Sequence, residues 1–270
     1  MTEIKKSISR NNVKRFGDGS QPMMFAHGYG CDQNMWRFIT PAFEDDYQII
    51  LFDHTGSGQS DEREYDFEKY SSLDGYAADV IQICEELKLS DVLFVGHSVS
   101  AMIGLLAAAE RPDLFSKLIM IGPSPRYIND ENYHGGFSEK DINDLIETLE
   151  SNFLGWSSSI TPLIAGNPDK PEAAAELHNS FCRMNPEIAK QFAKVTFLAD
   201  NRDDLPRVSV PSLIIQCDPD MIAPAEVGKY VHERMQNSCY IQINASGHCP
   251  HLTAPELTID AIKSYLESDH

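Results

Sequence analysis

Basic residues are scarce in this chain of 270: 22 Lys and Arg stand against 41 Asp and Glu, a net charge of −19. A surface of that sign, with a pI near 4.7, repels phosphate backbones and anionic lipid headgroups, which argues against nucleic acid or a membrane as partner. No apolar run approaches the roughly 20 residues needed to cross a bilayer. None follows Lys5 and Lys6 either, so no secretory signal is expected. The six cysteines, Cys31, Cys84, Cys182, Cys217, Cys239 and Cys249, include no C-x-x-C pair. Reduced thiols in a cytoplasmic protein are the expectation, with Cys249, beside a histidine, read as a buried inert thiol. Repeats and low-complexity segments are missing too. What remains is a hydrophobic content of 42%, enough at this length to bury a large core without disulfide or metal staples.

The apolar residues fall in a rhythm. Met23–Ala26, Ile49–Phe52, Val92–Val95 and Leu118–Ile121 are short, nearly all apolar, and followed by Gly, His, Asp or Pro. Such runs suit parallel strands covered on both faces. Between them lie helical patterns. In 74–87, Tyr76, Val80, Ile83, Cys84 and Leu87 share one face; 98–110 is rich in Ala and Leu and stops at Arg111-Pro112. Alternating strands and helices predict a doubly wound, mostly parallel α/β sheet. After Pro123-Ser124-Pro125 the strands cease. Ser138 to Asp141 resembles a capping box, and helices are expected over 138–152, 155–165, 171–183 and 186–199. Strands resume at 210–216 and 240–243, and 255–266 reads as a closing helix. The expected organisation is a core of 1–125 and 206–270 interrupted by a helical insertion, 126–205, long enough to be a functional lid.

Chemistry concentrates in Val95-Gly96-His97-Ser98-Val99-Ser100, between an apolar strand and an Ala-rich helix. A serine held out at a tight strand-to-helix turn can act as a nucleophile, with the helix N-terminus near any oxyanion it generates. The usual motif is G-x-S-x-G; here Ser100 takes the last place. Alone, the fragment favours the elbow only somewhat over Ser98 merely capping a helix. The loop Ala26-His27-Gly28-Tyr29-Gly30 follows the first strand, where a second oxyanion donor belongs. The amides of Tyr29 and Val99 are therefore the expected oxyanion hole, with His27 read as bracing the loop, since no second ligand at metal spacing accompanies it. Cys217-Asp218-Pro219-Asp220 and Gly247-His248-Cys249-Pro250-His251 follow later strands and offer an acid and a base in the chain order Ser, Asp, His. Spacing does not separate Asp218 from Asp220, nor His248 from His251.

At these residues the sequence resembles a group of α/β-hydrolases that includes the bacterial stress-response regulator RsbQ and the plant karrikin and strigolactone receptors. The likeness runs through His27–Gln33, Leu51-Phe52-Asp53 with Gly56-Ser57-Gly58, Gly96–Gly104, Arg111–Ser116, Pro125-Arg126-Tyr127, Gly135-Gly136-Phe137 and Gly247–His251. The resemblance implies an α/β-hydrolase fold with a four-helix lid over a deep, mostly apolar pocket. It puts Asp220 in the acid position and His248 in the base position, and matches the Ser100 variant of the elbow. Tyr127, Phe137, Trp156 and Phe197 are then expected to line the pocket. Tyr29 stands where the group usually has Phe, and its hydroxyl is expected to add polarity at the pocket mouth.

The expected activity is hydrolysis of a small hydrophobic ester or lactone through Ser98, His248 and Asp220, with no metal and no organic cofactor. Dehalogenases of this fold carry Asp where Ser98 stands, so serine argues for acyl transfer. The likeness to RsbQ also implies a signalling role in stress regulation with a phosphatase protein as partner. A non-enzymatic small-molecule receptor that signals through a protein partner is the alternative.

Overall fold

The structure, a computed structural model, describes residues 6–268. Met1 to Lys5, which belong to the N-terminal stretch considered for a secretory signal, lie outside the described residues. After a short helix, α1 (Lys6–Arg10), seven strands among the described residues form one sheet: β1 (Lys14–Phe16), β2 (Gln21–Ala26), β3 (Tyr47–Leu51), β4 (Val92–His97), β5 (Phe115–Ile121), β6 (Ser212–Cys217) and β7 (Ser238–Ile243). Their order is β1-β3-β2-β4-β5-β6-β7. Only β1 runs antiparallel to its neighbour. It is an exposed Lys-Arg-Phe edge strand with no apolar run, which is why no periodicity announces it.

Side chains of successive strand residues point to opposite faces. Met24, Phe94 and Met120 accordingly pack with Tyr76 and Val80 of α2 (Leu73–Leu87) and Met102 of α3 (Val99–Glu110). Met23, Phe25, Val95 and Ile119 pack on the other side with Trp36 and with Ile262 of the closing helix, residues 255–267. Both faces are apolar, so the strands read as continuous apolar runs. Between β5 and β6 lie four helices, α4 (Glu139–Ser151), α5 (Phe153–Ala165), α6 (Pro171–Cys182) and α7 (Pro186–Phe197). The first opens on the expected capping box, Ser138 Oγ accepting from the Asp141 amide and the Asp141 carboxylate from that of Ser138. One helix not expected from sequence, residues 225–234, has only Val227, Gly228 and Val231 buried, too narrow a stripe to stand out.

Strand pairing determines which loops meet. From β2 the chain pairs β3 on one side and β4 on the other, which opens a crevice at the carboxyl ends of these strands. Ala26 is in register with Gly96, His97 with Ile121, Ile121 with Ile215 and Cys217 with Ile243. The segments following β2, β4, β5, β6 and β7 therefore emerge side by side along one edge.

The N-terminal residues are anchored to this core through Asp79, which is 1% exposed. Its carboxylate accepts from Arg10 Nη2 at 2.7 Å, Thr55 Oγ1 at 2.8 Å and Tyr70 Oη at 2.8 Å, and from Lys69 Nζ. Removing this acceptor strands a buried guanidinium. Asp79→Ala is expected to destabilise the fold by about 3–5 kcal/mol, read as a lowered urea midpoint in equilibrium unfolding.

Candidate active site

Ser98 joins β4 to α3 with φ 56° and ψ −122°, a conformation costing a non-glycine residue on the order of 1–3 kcal/mol. Its own amide donates to Ile121 O on β5 at 2.8 Å, which helps hold the turn. The side chain caps no helix amide, so the capping alternative is not realised. Ser98 Oγ instead donates to His248 Nε2 at 2.7 Å, and His248 Nδ1 donates to Asp220 Oδ2 at 2.7 Å. The other Asp220 oxygen accepts the amides of Ile222 at 2.8 Å and Ala223 at 3.1 Å. All three side chains are buried. The competing residues lie elsewhere: Asp218 is exposed and accepts from Gln242 Nε2, while His251 packs on His97 and Trp36.

Two further histidines, whose roles sequence patterns did not reveal, support the arrangement. His97, the residue before the serine, donates Nε2–H to the His248 carbonyl at 2.7 Å. His54 Nε2–H reaches Ser100 Oγ at 2.7 Å, and that hydroxyl donates to the His27 carbonyl at 2.5 Å. His27 in turn donates Nδ1–H to Gly28 O at 2.9 Å and accepts the His54 amide on Nε2 at 3.1 Å. Ser100 thus ties the elbow to the loop after β2, a connection that glycine at that position cannot make. Gly28 is where that loop comes closest: a Cβ there would lie 2.6 Å from His97 Nδ1 and 3.4 Å from Ser98 Cβ. Val99, first residue of α3, has no intrahelical acceptor for its amide.

Beside Ser98 is a narrow, mostly apolar cavity of about 30 Å³, room for little more than a water or two when one water needs roughly 10–15 Å³. Tyr29, Tyr127 and Phe197 line it, with Ile160, Leu177 and Phe181. Two of the expected lining residues do not. Trp156 stands behind, its ring 6.2 Å from Tyr29 and 5.5 Å from Phe181, because those two rings fill the space between it and the cavity. Phe137 is half-buried and braces Tyr127 through its backbone, its amide donating to Tyr127 O at 3.1 Å. The Tyr29 hydroxyl also departs from expectation. It donates to Ala189 O on α7 at 2.9 Å, so it is consumed inside the protein and adds no polarity to the cavity. Among the described residues no three His, Cys, Asp or Glu side chains converge to hold a metal ion. A larger open groove of about 580 Å³, along Ser72, Asp74, Lys194 and Asn201, contains none of Ser98, His248 or Asp220.

Burial governs the electrostatics here. It holds His27, His54 and His97 below the ordinary histidine value and His251 down to about 3, with neighbouring histidines adding to the effect on His54, His97 and His251. Burial likewise pushes the Cys249 thiol well up, in keeping with an inert core residue, and Tyr127 up to about 12.

Comparison with known proteins places these features in context. The alpha/beta hydrolase fold family matches residues 21–255. A karrikin insensitive 2 receptor from Petunia hybrida is 40% identical over 260 residues, 96% of either chain. A strigolactone esterase from Pisum sativum is 40% identical over 246 residues, covering 90% of this chain and 92% of its own. Among solved structures, a hydrolase from Oleispira antarctica superposes with a TM-score of 0.96 at 41% identity, covering 99% of this chain and 98% of its own.

Two expectations follow from this geometry. The unfolded chain protonates its histidines near 6.5, whereas His27, His54, His97 and His251 resist protonation in the fold, so their contribution to stability is complete above that pH and is lost as pH falls below it, for His251 down to about 3. Urea midpoints should drop between pH 7.5 and 5.5, and His251→Gln should remove about 1.4 kcal/mol of the total change across that window. Gly28→Ala should leave a folded protein that loses at least roughly tenfold in ester turnover, since its methyl group must push His97 or the loop aside; activity and melting temperature measured together test this.

Proposed function

The chain belongs to the α/β-hydrolase fold family, and on that footing we propose that it is a serine hydrolase acting on a small hydrophobic ester or lactone. The observation carrying this reading is the unbroken hydrogen-bonded line Ser98 Oγ–His248–Asp220, both links 2.7 Å, opening onto an apolar cavity. Ser98 Oγ attacks the carbonyl carbon as its proton passes to His248 Nε2. Asp220, its second oxygen occupied by two amides, keeps the imidazole in the Nδ1–H tautomer and offsets the imidazolium charge. The amides of Tyr29 and Val99 receive the oxyanion. Collapse breaks the carbonyl–alkoxide bond, and the alkoxide takes the proton from His248. In a lactone this leaving oxygen stays tethered to the acyl group. His248 then deprotonates water as it attacks the acyl-enzyme, and returns that proton to Ser98 Oγ when the acyl–oxygen bond breaks, releasing the acid.

The apolar lining and the narrow dimensions support small, weakly polar substrates. The four helices α4–α7 serve as the lid, within an insertion spanning 126–205 of a core formed by 1–125 and 206–270. A signalling role accompanies the chemistry in this reading. Relatives of about 40% identity are named both as receptors and as esterases, and the sequence likeness to RsbQ suggests stress regulation with a phosphatase partner in the cytoplasm. A receptor that binds without turnover is the second reading, favoured by the receptor names among relatives and opposed by the intact triad geometry.

Ser98→Ala should lower turnover of a short activated ester such as p-nitrophenyl acetate by about 10⁴-fold or more with the melting temperature preserved. Undiminished turnover would remove Ser98 from the mechanism. Wild-type protein that binds a butenolide but hydrolyses no ester or lactone would favour the receptor alternative.

A further inference from the structure

We propose that the C-terminal end of α5 forms part of the mounting of the catalytic base, and that Asn167 is a positioning residue holding His248 in line with Ser98. This rests on the serine-hydrolase reading above. A helix leaves its last four carbonyls without intrahelical partners. In α5, Pro162 O is met by the Gly166 amide, but Ile164 O accepts the backbone N–H of His248 itself at 2.8 Å. Ala165 O accepts from Asn167 Nδ2 at 2.7 Å, and the same nitrogen donates its other hydrogen to Ser246 O at 2.7 Å. One amide group therefore ties the end of this helix to the loop that presents the base.

Backbone packing closes the joint. Gly166 and Gly247 both have positive φ, 61° and 88°, and a Cβ on Gly166 would lie 2.4 Å from Gly247 Cα. On its far side the Gly247 amide donates to Pro219 O at 2.8 Å, next to Asp220. The base loop is thus clamped between α5 and the loop carrying the acid. The same helix also supplies Ile160 and Ile164 to the wall of the cavity, which is too small for a substrate of more than a few atoms.

Among the described residues Asn167 contributes the side-chain hydrogen bonds that join α5 to the His248 loop, and it is half-buried at the edge of this joint, so it can be changed without opening the core. Asn167→Asp keeps the shape but turns an acceptor toward two carbonyls. The test compares wild type, Asn167→Asp, Asn167→Ala and Ser98→Ala in p-nitrophenyl acetate hydrolysis and in the rate of labelling by a fluorophosphonate. Both Asn167 variants should lose about 10–100-fold in kcat and a similar factor in labelling rate, with KM within about threefold of wild type. If the charged variant fails to fold, Asn167→Ala carries the test. Lowered melting temperature with unchanged kcat and labelling, or a raised KM alone, overturns the proposal while leaving the hydrolase reading intact, provided wild type is labelled and Ser98→Ala is not. A wild-type protein that is neither labelled nor active overturns both.

Discussion

Each polar group of His248 is engaged: Nε2 with Ser98, Nδ1 with Asp220, the backbone amide with Ile164 O and the backbone carbonyl with His97 Nε2. These four partners come from the elbow, the acid loop, the helical insertion and the residue beside the nucleophile. An imidazole held in this way has one tautomer and one orientation, as transfer of a proton from Ser98 requires. The rest of the molecule can be understood as what is needed to bring those four partners together, beginning with five parallel strands whose carboxyl ends lie in register.

The surroundings of that imidazole are as important as its bonds. His27, His54, His97 and His251 are buried and held neutral by desolvation. They serve as oriented hydrogen-bond donors and packing surfaces without placing a competing cation near the base. Ser100 is the clearest example of how such groups are used. Its hydroxyl joins His54 to the His27 carbonyl and so couples the elbow to the loop proposed to hold the oxyanion. The departure from the usual glycine therefore adds a connection and leaves the tight turn intact.

The helical insertion meets the core at both halves of the site. Through Tyr29 it contacts the loop after β2, with the phenol donating to Ala189 of α7; through the end of α5 it contacts the loop carrying His248. The helices that line the cavity, α5, α6 and α7, thus include the two that brace these loops.

Much of this was determined by sequence alone, because the signals are local. Short apolar runs mark buried parallel strands, small residues permit the turn at Ser98, and Ser138 with Asp141 starts a helix. Family likeness selected Asp220 and His248 where spacing was silent, since two carboxylates or two imidazoles a few residues apart in one loop look equivalent along the chain. Only the tertiary structure decided what depends on the rotation of one element against another. Trp156 and Phe137 are as aromatic as Phe197, yet rings and backbone intervene between them and the cavity. The Tyr29 hydroxyl turns inward because a carbonyl 160 residues away in the chain is there to accept it. Asn167 and Ile164 carry no motif at all; their importance arises from where a helix ends in space, and hydrogen bonds between distant backbones leave no periodic trace in a sequence.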